Sequence, residues 1–221
     1  MSEIINNEKY QIIKILGKGA FGVVYQLEKN NKFYSYKKIS LINLSKEEIN
    51  KYIEEAKILS SFNSEYIVKY YFSFFDKEYF NILMEYGGNN NLKQFILNQK
   101  KKNQKIEEKI IEEILIQICS GLKEIHKTNI IHRDLTPENI FINKNNKIKI
   151  GDFGVSKQLN TNNKYAETDT GKEHYKAPEI IKNEKYDKRA DIYSLGCIIY
   201  ELFTLNEYYI DKYFDDKDGK N

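Results

Sequence analysis

Three oxygen-bearing side chains follow one another closely: Asp134, Asn139 and Asp152. They lie in Ile131-His132-Arg133-Asp134-Leu135-Thr136-Pro137-Glu138-Asn139-Ile140 and in Gly151-Asp152-Phe153-Gly154. Amide and carboxylate oxygens are hard donors suited to Mg²⁺, which keeps several waters and binds through few protein ligands plus substrate phosphates. Asp134, just upstream, is of a type that can accept a proton from a hydroxyl. Together they are what transfer of a phosphoryl group from ATP to a hydroxyl requires. Further upstream, Gly17-Lys18-Gly19-Ala20-Phe21-Gly22-Val23-Val24 has the pattern GxGxxGxV. Its glycines let a backbone approach phosphates closely. In dinucleotide folds the third glycine opens a helix; here strand-like residues follow, which favours a loop between two strands. Lys37 and Glu55 complete the set, because a strand lysine paired with a helix glutamate would hold the α- and β-phosphates. Lys38 and Glu54 are the rival choices. Strand alternation places Lys37 with Ser35 on one face, opposite Tyr36 and Lys38, so Lys37 is preferred.

The elements that must position these residues divide at a glycine run. Tyr10 to Leu16, Val23 to Glu28 and Phe33 to Ile39 read as strands, with Asn30-Asn31 as a hairpin signal. Ser45-Lys46-Glu47-Glu48 has the form of a capping box. It opens a helix to about Ser60, with Ile49, Ile53, Ala56 and Leu59 on one face. Strands are expected near Ile67 to Ser73 and Phe80 to Glu85. Gly87-Gly88-Asn89-Asn90 breaks the pattern and suits a hinge. Beyond it the chain is mainly helical. Glu107 to Lys127 carries a wide apolar stripe, Ile140 to Ile142 and Ile148 to Ile150 form a short hairpin, and Ala190 to Leu205 is a second apolar helix. Asp152 to Glu179 is expected to be irregular. The division is residues 10–85, a hinge at 86–89, a helical part at 90–209 and a polar tail at 210–221. A cleft between the two lobes is the expected ligand site.

With 41% hydrophobic and 30% charged residues, the chain reads as a soluble globular one rather than a disordered one. A net charge of +3 makes no case for nucleic acid. Lys100-Lys101-Lys102 reads as a solvated loop. Two cysteines, Cys119 and Cys197, without CxxC spacing argue against a zinc site and for a reducing compartment. Neither a signal-peptide core nor an apolar run of spanning length is evident, so a cytoplasmic place without membrane partners is expected, with nuclear or cytoskeletal sites open.

These motifs, in this order, make the sequence resemble eukaryotic protein kinases from Gly17 to about Tyr209. Ala177-Pro178-Glu179 is similar to the motif closing the family's activation segment. Asp191-Ile192-Tyr193-Ser194-Leu195-Gly196 is similar to its DxWxxG helix, with Tyr193 for the usual Trp. Within the family it resembles the NIMA-related Ser/Thr group through residues 149–160 and 195–205. The resemblance implies an α+β bilobal fold with a small antiparallel β lobe, one helix, and a helical lobe that is here incomplete. It implies an ATP- and Mg²⁺-dependent Ser/Thr protein kinase with Asp134 as base, Asn139 and Asp152 as metal ligands, and protein substrates. Met84-Glu85-Tyr86 is similar to the gatekeeper and hinge. Leu16, Ser35, Val24, Asn91 and Phe141 would join them around the nucleotide, with the Gly-rich loop above. Pro137-Glu138 and Tyr175 favour Ser/Thr over Tyr specificity. Arg133 would receive a phosphate placed on Thr168, with Thr170 as runner-up.

Two departures stand out against that family. Thr136 occupies the position of a lysine, and Lys172 occupies that of a threonine. The exchange is expected to return an ammonium to the transferring phosphate from the opposite side; loss of transfer, leaving a nucleotide-binding or scaffolding module, is the alternative. Glu179 lacks the arginine that follows in the family, and Ile198, Ile199 and Leu202 are expected to lose cover, which would allow association through that surface.

Overall fold

The computed structural model describes residues 2–6, 8–19, 22–143, 145–154, 156–158, 173–182 and 184–206. Its first part is a six-stranded antiparallel sheet in the order β1-β2-β3-β4-β6-β5. The strands are β1 (Ser2–Ile5), β2 (Glu8–Lys18), β3 (Gly22–Lys29), β4 (Lys32–Ser40), β5 (Tyr70–Asp76) and β6 (Tyr79–Glu85). One helix, α1 (Lys46–Ser60), crosses from β4 to β5. Ser45 caps it with the full reciprocal box, Ser45 Oγ accepting from Glu48 N–H and Glu48 accepting from Ser45 N–H. The sheet is apolar on both faces. Ile39, Phe80 and Ile82 pack with Ala56 of α1, while Ile5, Tyr10, Leu27, Tyr36 and Leu83 form a second cluster on the opposite side.

Two strands differ from the expectation. β1 was not foreseen; it pairs with the start of β2 across a turn in which Asn6 has a φ of 50°. The fifth strand begins at Tyr70, and Ile67 makes only an isolated bridge to Ile150.

The second part follows directly on β7 (Asn90–Asn91), α2 (Leu92–Lys101), α3 (Glu108–Lys127), β8 (Ile130–Ile131), β9 (Ile140–Ile142), β10 (Ile148–Ile150), β11 (Lys157–Gln158), α4 (Pro178–Ile181) and α5 (Arg189–Thr204). α2 corrects the reading of Lys100-Lys101-Lys102 as a loop: Lys100 and Lys101 close the helix and Lys102 caps it. Cations suit a helix C-terminus, where carbonyls carry partial negative charge. α3 lies at the centre, burying Ile111, Ile114, Ile118, Leu122 and Ile125 against α5, β9 and β10. Gly121 lets α3 approach β10, since a Cβ there would stand 2.8 Å from Ile150 Cδ1. Ile198 and Leu202 are fully buried, contrary to the expected loss of cover. The outward apolar side chains of α5 are instead Ile192, Tyr200 and Phe203. Among the described residues, no helix is long and apolar enough to cross a membrane.

Candidate active site

A cleft of about 330 Å³ opens between sheet and helices. Its upper wall is Leu16, Gly17, Val24, Ser35 and Lys37; its back is Met84, Glu85 and Tyr86; its floor includes Asn91, Phe141 and Asp152. Strand pairing explains the upper wall. Val24 faces Lys37 across β3–β4, and Ser35 faces Met84 across β4–β6, so alternate residues present one face to the cleft. Lys18, Gly19, Gly22 and Val23 lie beside the cleft without lining it; Ala20 and Phe21 fall outside the described residues. Gly22 has no room for a side chain, as a Cβ would stand 2.9 Å from Lys38 O.

The geometry separates the rival lysines. Lys37 Nζ lies 2.6 and 2.8 Å from the two oxygens of Glu55. Lys38 turns the other way, to Glu3 at 2.7 Å, and Glu54 pairs with Lys57 on the outside of α1. Glu55 is 6% exposed. Burial opposes the charge on Lys37, but the Glu55 carboxylate and then Asp152 outweigh it and hold the ammonium above its ordinary value. Glu55 itself is pushed up by burial, with Lys37 opposing. At neutral pH, hydrogen bonds from Nζ to both carboxylate oxygens fit the ionised pair.

Beneath that pair, Phe153 is buried against Phe62 at 5.2 Å and His132 at 4.9 Å between ring centres. This places Asp152 at the cleft with a φ of 59°, a left-handed backbone that costs an aspartate little. His132 is fully buried. Its Nε2 is 3.0 Å from the Gly151 carbonyl, which can only accept, and its Nδ1 accepts the Asp134 N–H at 3.3 Å. The ring proton therefore sits on Nε2, and the imidazole joins the segment after β10 that carries Asp152 to the loop carrying Asp134.

That loop is fixed from below by Asp191, 0% exposed at the start of α5. Its carboxylate accepts the backbone N–H groups of His132 and Arg133, each at 3.0 Å, and lies 2.7 Å from His126 Nε2. Arg133 has a φ of 68°, an arrangement that needs such anchoring. The Arg133 guanidinium donates to the Tyr186 hydroxyl at 3.2 Å. Asn139 closes a 3-10 turn over Pro137–Asn139. Its amide nitrogen donates to Asp134 O at 2.9 Å and Asp134 Oδ2 at 2.8 Å. That bonding orients the Asp134 carboxylate and leaves the amide oxygen for a hard cation.

The site thus brings Asp134 and Asn139 together, and Lys37, Glu55 and Asp152. Thr136 is 0% exposed, and among the described residues its Oγ1 has no hydrogen-bond partner. Lys172, Thr168 and Thr170 lie outside the described residues. Sequence reasoning missed Val68, Leu59, Gly151 and Phe153 as cleft walls, and His132 as a connector. A lone histidine after Ile130-Ile131 was the available signal for the last. Gly87 and Gly151 were missed as spacers around Phe141; a Cβ on either would stand 2.5 or 2.8 Å from that ring. At the back of the cleft, Lys149 Nζ reaches Glu85 Oε2 at 2.9 Å, which ties β10 to β6.

A Mg²⁺ ion fits this donor set. Asn139 Oδ1 and the exposed Asp152 carboxylate are two hard oxygens, the number Mg²⁺ commonly takes from protein when phosphates and water complete its shell. A nucleotide fits the cleft, with the Lys37 ammonium as its inner cation.

A family model described as protein kinase domain matches residues 10–219. The probable serine/threonine-protein kinase nek2 of Dictyostelium discoideum is 37% identical over 206 residues, covering 90% of this chain and 49% of the relative. Serine/threonine-protein kinase Nek9 of Mus musculus is 38% identical over 198 residues, covering 89% of this chain and 20% of the relative. Serine/threonine-protein kinase Nek11 of Homo sapiens is 37% identical over 203 residues, covering 90% and 31%. The chain spans about half the length of these relatives or less.

Proposed function

The chain belongs to the protein kinase domain family, with Ser/Thr relatives of the NIMA-related group, and from that premise we propose that it transfers the γ-phosphate of ATP to serine or threonine hydroxyls of proteins. The observation that carries the reading is the closed Lys37–Glu55 pair, at 2.6 Å over a buried Phe153. It leaves the ammonium charged, placed and rigid at the inner end of the cleft. Electrostatic placement of this kind is the main source of catalysis in phosphoryl transfer.

Asp134 takes the proton of the attacking hydroxyl as its oxygen bonds to the γ-phosphorus and the bond to the β-phosphate oxygen breaks. Asn139 holds the Asp134 carboxylate in one orientation through its amide hydrogens. Lys37 binds the phosphates nearer the nucleoside. Asn139 and Asp152 would hold Mg²⁺, which would neutralise charge on the phosphates. Met84, Glu85 and Tyr86 hold the base and exclude water at the back of the cleft, and Ser35 and Phe141 enclose it from above and below.

Thr136 brings no charge to the site, and Lys172 is proposed to supply it. Turnover of Lys172→Met tests this: a large loss is expected, and wild-type turnover would overturn it. The missing charge at Thr136 also favours a second reading, a nucleotide-binding module without transfer. Thermal shift with Mg·ATP beside radiolabel transfer to a generic basic protein separates the two. Transfer lost in Asp152→Ala supports the first; Mg·ATP binding without transfer in the wild type refutes it and supports the second. Phosphorylation of Thr168 or Thr170, read by Arg133, is proposed as a control, and phosphopeptide mapping of active protein that finds neither site modified would dismiss it.

A further inference from the structure

Glu201, in α5, is 2% exposed and outside the cleft. Both of its oxygens are engaged. Lys93 Nζ lies 2.6 Å from Oε1, and the Tyr175 hydroxyl donates to Oε2 at 2.6 Å. Lys93 belongs to the first turn of α2, the helix capped by Asn91, and Asn91 and Gln94 line the nucleotide cleft. Tyr175 ends a 3-10 turn, two residues ahead of Ala177-Pro178-Glu179. It is 5% exposed, and its carbonyl accepts from Ser194 Oγ at 2.7 Å, again in α5. Lys100 Nζ also reaches Asn206 Oδ1 at 2.8 Å, a second link from α2 to the end of α5. One buried carboxylate thus joins the helix beside the nucleotide to the segment leading out of the activation region.

A carboxylate so deeply buried keeps its charge only beside a cation. With Lys93 present, the Tyr175 hydroxyl donates to an anion, a bond about twice as strong as one to a neutral oxygen. Without it, Glu201 loses the cation on Oε1, and nothing on that side holds its carboxylate in the orientation that meets the Tyr175 hydroxyl. α2 would stay in place, since Leu92 and Ile96 are buried in the main core and the Asn91–Gln94 box is intact. The loss would fall on the Tyr175 side.

We propose that Lys93 is a positioning residue for the protein substrate: by holding the Glu201 carboxylate in place, it fixes Tyr175 and the segment around it as a surface for the acceptor polypeptide. This rests on the transfer reading above. The test is steady-state kinetics of wild type, Lys93→Met, Lys93→Arg and Tyr175→Phe, with myelin basic protein as acceptor. Lys93→Met is expected to raise the acceptor KM about tenfold, with the ATP KM within twofold. Lys93→Arg should restore most of the loss, and Lys93→Met combined with Tyr175→Phe should be no worse than either alone. An unchanged acceptor KM in folded Lys93→Met overturns the proposal, as does an equal rise in both KM values. If Lys93→Met does not fold, Tyr175→Phe decides by the same two criteria. Should the wild type transfer no phosphate, the functional reading fails, and anisotropy of fluorescein-labelled myelin basic protein bound to the Mg·ATP complex still decides this one. Weaker binding in the variants supports it, and unchanged binding refutes it.

Discussion

Thr136 is fully buried, its Oγ1 unbonded among the described residues, with extended φ −135° and ψ 159°. A hydroxyl taken from water into such a place without a partner costs about 1–3 kcal/mol on the scale of protein substitutions. Valine keeps the branched shape and replaces the hydroxyl by a methyl, and extended backbone suits it. Thr136→Val therefore removes the cost without opening a cavity and should stabilise by about 1–3 kcal/mol. In a domain of this size 1 kcal/mol moves Tm by roughly 2–4 °C, so a rise of about 2–12 °C is expected. Thr136→Ser keeps the hydroxyl and deletes a buried methyl, which should cost about 0.8 kcal/mol or more. Urea unfolding followed by circular dichroism should order the midpoints Val above Thr above Ser at constant m-value. A midpoint for Thr136→Val below wild type would refute the reasoning, because it would mean that the hydroxyl has a partner.

Asp191→Asn loses an acceptor where three donors converge and should cost about 3 kcal/mol or more; urea unfolding measures it, and a change under 1 kcal/mol would contradict the anchoring role. Gly87→Ala should fold but weaken Mg·ATP binding about tenfold, since the added Cβ drives the Phe141 ring into the cleft; isothermal titration calorimetry checks this, with unchanged affinity as the contrary result. Iodoacetamide at pH 8 should label Cys119, which is exposed, well before Cys197. Burial pushes the Cys197 thiol from 9.0 up to about 11, so its reactive thiolate is roughly a hundredfold scarcer than for an ordinary thiol. Peptide mass mapping that finds equal labelling in the folded protein would contradict that burial.

Much of the site was legible because its chemistry is local in sequence. Asp134, Asn139 and Asp152 fall within one hairpin region, and alternation along one strand was enough to choose Lys37 over Lys38. Periodicity and turn signals marked the strands, the helices and the division between them, the family resemblance supplied the fold class, and the capping box at Ser45 marked the start of α1. α2 carried a similar signal, Asn91 with Gln94 three residues on, but the glycine–asparagine run before it dominated the reading. β1 has only four residues and owes its place to pairing with β2 and to the burial of Ile5, neither of which a short window reveals. What stayed hidden is what depends on distant partners. Thr136 could be recognised as the wrong residue, but not as an unpartnered one. Ile198 and Leu202 were expected to lose cover, yet they face α3, while the same helix turns Phe203 and Ile192 outward.

The Asp191 anchor has a consequence for how the molecule opens. The amide hydrogens of His132 and Arg133 are held by a carboxylate 59 and 58 residues away, not by a strand or turn of their own. In hydrogen exchange they should behave as members of α5, giving up their protons only when that helix unfolds. The amides of β1, at the sheet edge, should exchange far earlier. The loop bearing Asp134 is thus expected to open together with α5 and not with the edge of the sheet.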